Sequence, residues 1–204
     1  MFKYHAVMSA FLVAGSIAYD LLLSYDGSFA DGIEKGNMEE LSVAYVMQRL
    51  KRLYGGTAAN IAWNLRLLDQ NAYITGSVGT DGDEYLERLK EKGVNVSLVR
   101  RDTKDVSPTA IIGTDTGERQ ITFYHPGADQ RSQPPDLSSI MDTISLVLMS
   151  PHSPIAMEQT AARCVDQGIP YLFDPGQAIL LFGRDALQRL VRDADGVIVN
   201  AYEW

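Results

Sequence analysis

The chain has 204 residues, room for one large domain or one domain plus a small appendage. Its 18 basic and 26 acidic side chains leave a formal charge of −8. That balance argues against a nucleic-acid binder, which needs a basic footprint to displace counterions from phosphates. With 46% hydrophobic and 22% charged residues the composition is globular, which excludes a disordered or low-complexity protein.

Cys164 is the sole cysteine, so there is no internal disulfide framework and no cysteine-rich zinc site. It fits a reducing, cytoplasmic compartment. The apolar stretch at 6–18 is broken by Ser9, Gly15 and Ser16 and is shorter than the roughly 20 residues of a membrane span. Only Lys3 and His5 precede it, and patterned sequence follows it in place of a cleavage site, which speaks against a signal peptide.

Taken in chain order, residues 11–14 read as a strand buried on both faces, ending at Gly15-Ser16. Gly55-Gly56 opens a helical pattern carried by Ala58, Ala59, Ile61, Ala62, Leu65 and Leu68. Residues 72–78 read as a strand. Residues 81–92 read as a helix, acidic early, basic late and stopped by Gly93, an order that suits the helix dipole. A strand at 146–149 is followed by a helix with Ser153 as N-cap and Pro154 at its first position, ended by Gly168 and Pro170. A strand at 171–173, a helix at 185–192 and a strand at 197–199 complete the series. This alternation implies a parallel sheet with helices on both faces.

Two stretches break the rhythm. Residues 21–53 are far too long for an ordinary strand-to-helix loop and hold alternating pieces at 21–23 and 42–46. Residues 109–113 and 119–124 read as a hairpin around Asp115-Thr116-Gly117. Both insertions leave the sheet at similar points, so they are predicted to pair into a small second β-layer acting as a lid.

Several strands end in a polar residue: Ser16 and Asp20, Ser150, Asp174 and Asn200. In open α/β sheets the ligand crevice lies beyond the carboxyl ends of the strands, so these residues converge there. Each alone is as well explained by a turn or a helix cap. The glycines of Gly55-Gly56-Thr57-Ala58-Ala59-Asn60 allow close backbone approach and expose free N–H groups, with Asn60 in the first helical turn. A Walker A loop is absent, and the turn Gly15-Ser16-Ile17-Ala18-Tyr19-Asp20 is no dinucleotide fingerprint. His5, His125 and His152 lack metal-ligand spacing. His125, in Tyr124-His125-Pro126-Gly127, lines the crevice or sits on a solvated loop. Cys164 and Trp63 read as packing residues.

These motifs together resemble the PfkB/ribokinase family of carbohydrate and nucleoside kinases, most nearly its bacterial adenosine kinase-like branch. Gly55, Gly56, Ala58, Asn60, Ala62 and Gly79 fall in register with the family's first signature. Asp69 departs from it, standing where Gly or Ser is usual, and a packing cost is expected there. Residues 15–20 look like the family's first strand and its substrate-hydroxyl aspartate. Residues 123–128 and 174–177 look like the adenosine kinase-like branch, and Asn200-Ala201-Tyr202-Glu203 fits the family's N-x-x-E motif.

The resemblance implies a ribokinase-like three-layer α/β/α sandwich with a mostly parallel sheet, one domain over 1–204 with lid insertions at about 21–53 and 107–125. It implies ATP-dependent phosphorylation of a nucleoside's primary hydroxyl, adenosine to AMP first, with a sugar kinase of the same family as the runner-up. Asp20, Gly55, Gly56, Asn60, His125 and Asp174 would bind substrate. Asn200 and Glu203 would serve the phosphates, Glu203 through water on Mg²⁺, with ATP as donor. No nucleic-acid or membrane partner is implied, and the lid is a homodimer surface in such enzymes.

The family's G-x-G-D motif, which holds the general base, lies downstream of N-x-x-E. Here Glu203 is followed only by Trp204, so the catalytic aspartate is expected downstream of Trp204. The chain is therefore read as the N-terminal two-thirds of such a kinase, without the catalytic aspartate and inactive alone. A catalytically dead nucleoside-binding module is the other reading.

Overall fold

The computed structural model describes residues 9–32, 42–201 and 203–204. His5, Tyr202 and the middle of the first insertion lie outside them. Six strands form a parallel sheet: β1 (Ala10–Ala14), β4 (Asn71–Val78), β5 (Asn95–Arg101), β8 (Ile144–Met149), β9 (Tyr171–Phe173) and β10 (Gly196–Val197). Their order is β10-β9-β8-β1-β4-β5, with every neighbouring pair parallel.

Helices cover both faces of this sheet. Successive strand residues point to opposite faces, so β1 divides its side chains between two cores. Val13 packs with Ala58, Ala59 and Ala62 of α1 (Thr57–Leu67) and with Leu86 and Leu89 of α2 (Asp83–Glu91). Leu12 packs with Met157, Ala161 and Cys164 of α3 (Pro154–Gln167) and Leu190 of α4 (Arg184–Asp193). This is why β1 is apolar without alternation. The alanines of α1 allow that helix to lie close to β1 and β4.

A second, four-stranded sheet is built from β2 (Ala18–Ser24), β3 (Arg49–Gly55), β6 (Thr109–Thr114) and β7 (Gln120–His125). Its order is β3-β2-β6-β7. The two insertions thus pair, β2 running parallel to β6. The turn of the β6–β7 hairpin is organised by Asp115, whose carboxylate accepts the N–H groups of Gly117 and Arg119 and the Nε of Arg119.

Several expectations need correction. Residues 42–46 form no strand; the edge strand is β3, whose first five residues are exposed, so its burial signal is weak. Strand β5 escaped the sequence reading because it is half-buried at the sheet edge and ends in two arginines. Helix α2 begins at Asp83, with Asp81 in the preceding turn, and β10 covers only residues 196–197. Asp69 has a left-handed φ of 57°, so its cost is backbone strain rather than packing.

Candidate substrate crevice

Residues paired across neighbouring strands share a face, so the register of the small sheet sorts the candidate residues. Leu53, Asp20, Ala110 and Tyr124 form one row across β3-β2-β6-β7. Tyr54, Tyr19, Thr109 and His125 form the next row, on the opposite face. Asp20 and His125 are therefore not brought together. His125 turns to Asp105, with Nε2 3.4 Å from Oδ1. The residue that shares a row with Asp20 is Tyr124.

Asp20 is half-buried, and desolvation pushes its carboxyl pKa above the usual aspartate value. It lies against Gly55, the last residue of β3, so closely that a Cβ there would collide with the carboxylate. Gly56 takes φ 87°, and a Cβ on it would sit 2.5 Å from both Ala18 N and Ser16 O. The pair thus lets the start of α1 press against the β1–β2 connection. Asn60 lies exposed in the first turn of α1, its N–H bonded to Gly56 O at 3.1 Å.

A chain of hydroxyls holds the strand ends together. Thr57 Oγ donates to Ser150 Oγ at 3.0 Å and lies 3.2 Å from Ser16 Oγ, while Ser150 Oγ donates to Ala14 O at 3.1 Å. One alcohol cluster thereby fixes the carboxyl ends of β1 and β8 to the N-terminus of α1.

Beyond β8 lie two buried polar groups. His152 has no hydrogen-bond partner on either ring nitrogen among the described residues, and burial pushes its pKa down to about 4. Burial pushes the Asp129 pKa up to about 7 against the lowering effect of the Ser153 N–H and the Ser132 side chain, and its Oδ1 has no partner among the described residues. Asp129 also raises the pKa of the Tyr124 hydroxyl, behind the larger effect of desolvation; Asp20 contributes least.

Asp174 and Glu203 form a separate group. The Asp174 N–H donates to Met149 O at 2.8 Å, which places it at the end of β9. Its pKa is raised first by burial and further by the charge of Glu203. The Asn200 N–H donates to Glu203 Oε2 at 3.0 Å and the Glu203 N–H to Asn200 Oδ1 at 3.0 Å. That reciprocal pair is a capping box. The Trp204 N–H donates to Asn200 O at 3.1 Å and closes this turn. Among the described residues no three His, Cys, Asp or Glu side chains gather to hold a metal directly. Two acidic side chains under mutual repulsion instead fit a hydrated cation held through water.

Residues 12–204 match the pfkB family of carbohydrate kinases. The chain belongs to that family. Two of its relatives are nucleoside kinases. That of Methanothermobacter thermautotrophicus is 26% identical over 198 residues, 94% of this chain and 60% of the relative. That of Methanocaldococcus jannaschii is 26% identical over 159 residues, 76% of this chain and 51% of the relative. The nucleoside kinase of Burkholderia thailandensis in complex with inosine superposes with a TM-score of 0.83 at 33% identity, over 95% of this chain and 61% of that one. The fold is ribokinase-like. The chain spans about 60% of the length of the Methanothermobacter and Burkholderia nucleoside kinases.

Sequence reasoning missed Tyr124, Asp129, His152, Thr57 and Tyr85. Thr57 follows the glycine pair directly. Asp129 precedes Gln130 and Arg131, and His152 stands between Pro151 and Ser153, so nothing in their sequence neighbourhood announces that they are buried.

Proposed function

We propose that the crevice binds a nucleoside and that the chain is the substrate-binding part of an ATP-dependent nucleoside kinase, adenosine being the first candidate. The observation that carries this reading is the Asp20–Gly55–Gly56 arrangement. A half-buried carboxylate, with no hydrogen bond or ion pair to the described residues, stands against a backbone stripped of side chains. Such a site accepts the adjacent hydroxyls of a ribose ring lying flat on the glycines. The nucleoside kinase relatives and the inosine complex support a nucleoside over a free sugar.

Phosphoryl transfer requires positioning of the acceptor hydroxyl and neutralisation of phosphate charge. Asp20 orients the ribose, and its partial desolvation strengthens the hydrogen bonds it accepts. Asn60 reaches another substrate hydroxyl from α1. The small sheet covers the acceptor and excludes water, a competing nucleophile. Asp174 and Glu203 would hold hydrated Mg²⁺ through water, with Asn200 toward the phosphates of ATP. When bound, the cation neutralises phosphate charge. The proton-accepting aspartate is assigned to none of the residues named here. His125 stands outside the site because it belongs to the face opposite Asp20.

One α/β domain with two lid insertions accounts for the whole chain. The lid face opposite Asp20 exposes Leu50, Ile111 and Phe123, which suits a homodimer. A monomer by sedimentation would remove that assignment.

Calorimetry with adenosine, inosine and ribose tests the substrate, and an ATP-consumption assay on the same protein tests transfer. Tighter binding of ribose than of either nucleoside would replace the nucleoside reading by a sugar kinase. Nucleoside binding without ATP consumption is the outcome expected of a substrate-binding part. Full turnover by residues 1–204 would show that these residues also supply the general base.

A further inference from the structure

The peptide that ends β3 is gripped from behind. Tyr85, the third residue of α2, is buried, and its hydroxyl donates to Gly55 O at 2.6 Å. Its ring centroid lies 5.5 Å from that of Tyr19 and 4.8 Å from that of Tyr54. Tyr19 and Tyr54 form the row on the face opposite Asp20, so Tyr85 meets the sheet from that face. Gly55 pairs with Ala18, two residues before Asp20 on β2, and a Cβ on it would stand 2.2 Å from Asp20 Oδ2. Tyr85 and the Asp20 carboxylate therefore flank Gly55 from opposite sides.

A peptide with glycine on both sides rotates easily, because no Cβ resists the turn. The Gly55–Gly56 peptide is such a unit, with Gly56 at φ 87° and ψ 135°. It is trans, so its carbonyl and its N–H point opposite ways. With the carbonyl drawn to Tyr85, the Gly56 N–H turns to the side of Asp20. Rotated, the peptide would set a carbonyl oxygen beside the carboxylate, two acceptors together where substrate hydroxyls must fit.

We infer that Tyr85 is a positioning residue for the substrate: its O–H holds the Gly55–Gly56 peptide in the orientation that leaves the Asp20 carboxylate open to ribose hydroxyls. The inference deepens the nucleoside reading above and rests on it. Tyr85 acts through Gly55, and no movement of the small sheet is required. The neighbouring hydroxyls have other partners. Tyr19 donates to Asp81 O at 3.1 Å and Tyr54 to the Glu84 carboxylate, contacts that tie α2 to the sheet without involving the glycines.

Tyr85→Phe keeps the ring and removes the donor. Affinity for adenosine should then fall about fivefold, as the competent share of peptide orientations drops to about a fifth. Affinity for 2′,3′-dideoxyadenosine, which lacks the hydroxyls that Asp20 accepts, should stay within about twofold of the wild type. NMR titration reads both, since it reaches weak ligands. Tyr19→Phe removes a hydroxyl from the same ring cluster and should bind both ligands as the wild type does. In the free protein the Gly55 carbonyl carbon should move upfield in Tyr85→Phe and stay in place in Tyr19→Phe. Tyr85→Met replaces Tyr85→Phe should the latter fail to fold. A purely structural role would lower melting and weaken the two ligands alike. Unchanged adenosine affinity, or equal losses for the two ligands, would overturn the positioning role while the nucleoside reading stands. A wild-type protein that binds no nucleoside would overturn both.

Discussion

Asp20 and Gly55 share a space that no larger residue at position 55 leaves open, since a Cβ there would land on the carboxylate. Gly55 is therefore as much a part of the anion's surroundings as a ligand would be. Gly55→Ala should displace Asp20, lower stability by about 1–3 kcal/mol through overpacking and abolish measurable nucleoside binding. Asp20→Ala should keep the fold but raise KM and lower kcat/KM in the complete enzyme. Melting curves beside calorimetry separate the two, and unchanged kinetics in Asp20→Ala would remove it from the site.

Asp69 offers a gain in stability. Its φ of 57° follows the last turn of α1, where its N–H bonds to Arg66 O at 3.1 Å. Aspartate tolerates this conformation better than most residues, yet glycine adopts it without strain. Asp69→Gly should stabilise the protein by up to about 1 kcal/mol, raising Tm by a few degrees, with ligand affinity unchanged. A lower Tm would show that the strain is offset by contacts of the side chain.

Asp129 and His152 should oppose each other in acid. The Asp129 pKa is raised to about 7, so its share of stability is full below the ordinary aspartate value and declines as pH rises toward 7. The His152 pKa is lowered to about 4, so its share is full above the ordinary histidine value and declines as pH falls toward 4. Between about pH 4 and 6.5 the two slopes have opposite signs and the wild-type curve should be nearly flat. Asp129→Asn should lose stability as pH falls across that window, and His152→Gln should gain it. Denaturant unfolding at pH 4.5, 5.5 and 6.5 reads both slopes, and parallel curves for the two variants would refute the assignment.

Thr57 is the middle of the Ser16–Thr57–Ser150 chain. Thr57→Val keeps the shape and removes the hydroxyl, leaving Ser150 without its donor. The expected loss is about 1–2 kcal/mol, with reduced ligand affinity because the chain positions Gly56. Equal affinity would confine the chain to a structural role.

The main sheet was legible because its strands are buried on both faces and read as short apolar runs between caps and glycines. The lid was legible as two interruptions, one of them a hairpin, that pair into a small sheet, but its edge strand β3 was not. Its strands alternate poorly, as in β3, where Leu50 and Leu53 are exposed on opposite faces. Register, which no local pattern specifies across two insertions this far apart, decided that Tyr124 rather than His125 shares a face with Asp20. Gly55 and Gly56 stood out because their backbone requirement is local. Asp129 and His152 did not, because burial is a property of the assembled layers.

The lid has two roots, and both carry ions. At β2 and β3, Tyr85 donates to Gly55 O at 2.6 Å, Tyr19 donates to Asp81 O at 3.1 Å, the rings of Tyr19, Tyr54 and Tyr85 lie within 5.7 Å of one another, and Arg52, stacked on Tyr19, pairs with Asp81 at 3.4 Å. At β6 and β7 the fastening is ionic: Arg131 to Asp102 at 2.8 Å and to Asp105 at 3.2 Å, with His125 beside Asp105. Salt screens the charges of both sets and leaves the tyrosine bonds and rings untouched. Ionic strength should thus act on the lid as on a door whose two hinges loosen unequally, the β6–β7 side more than the β2–β3 side that carries Asp20.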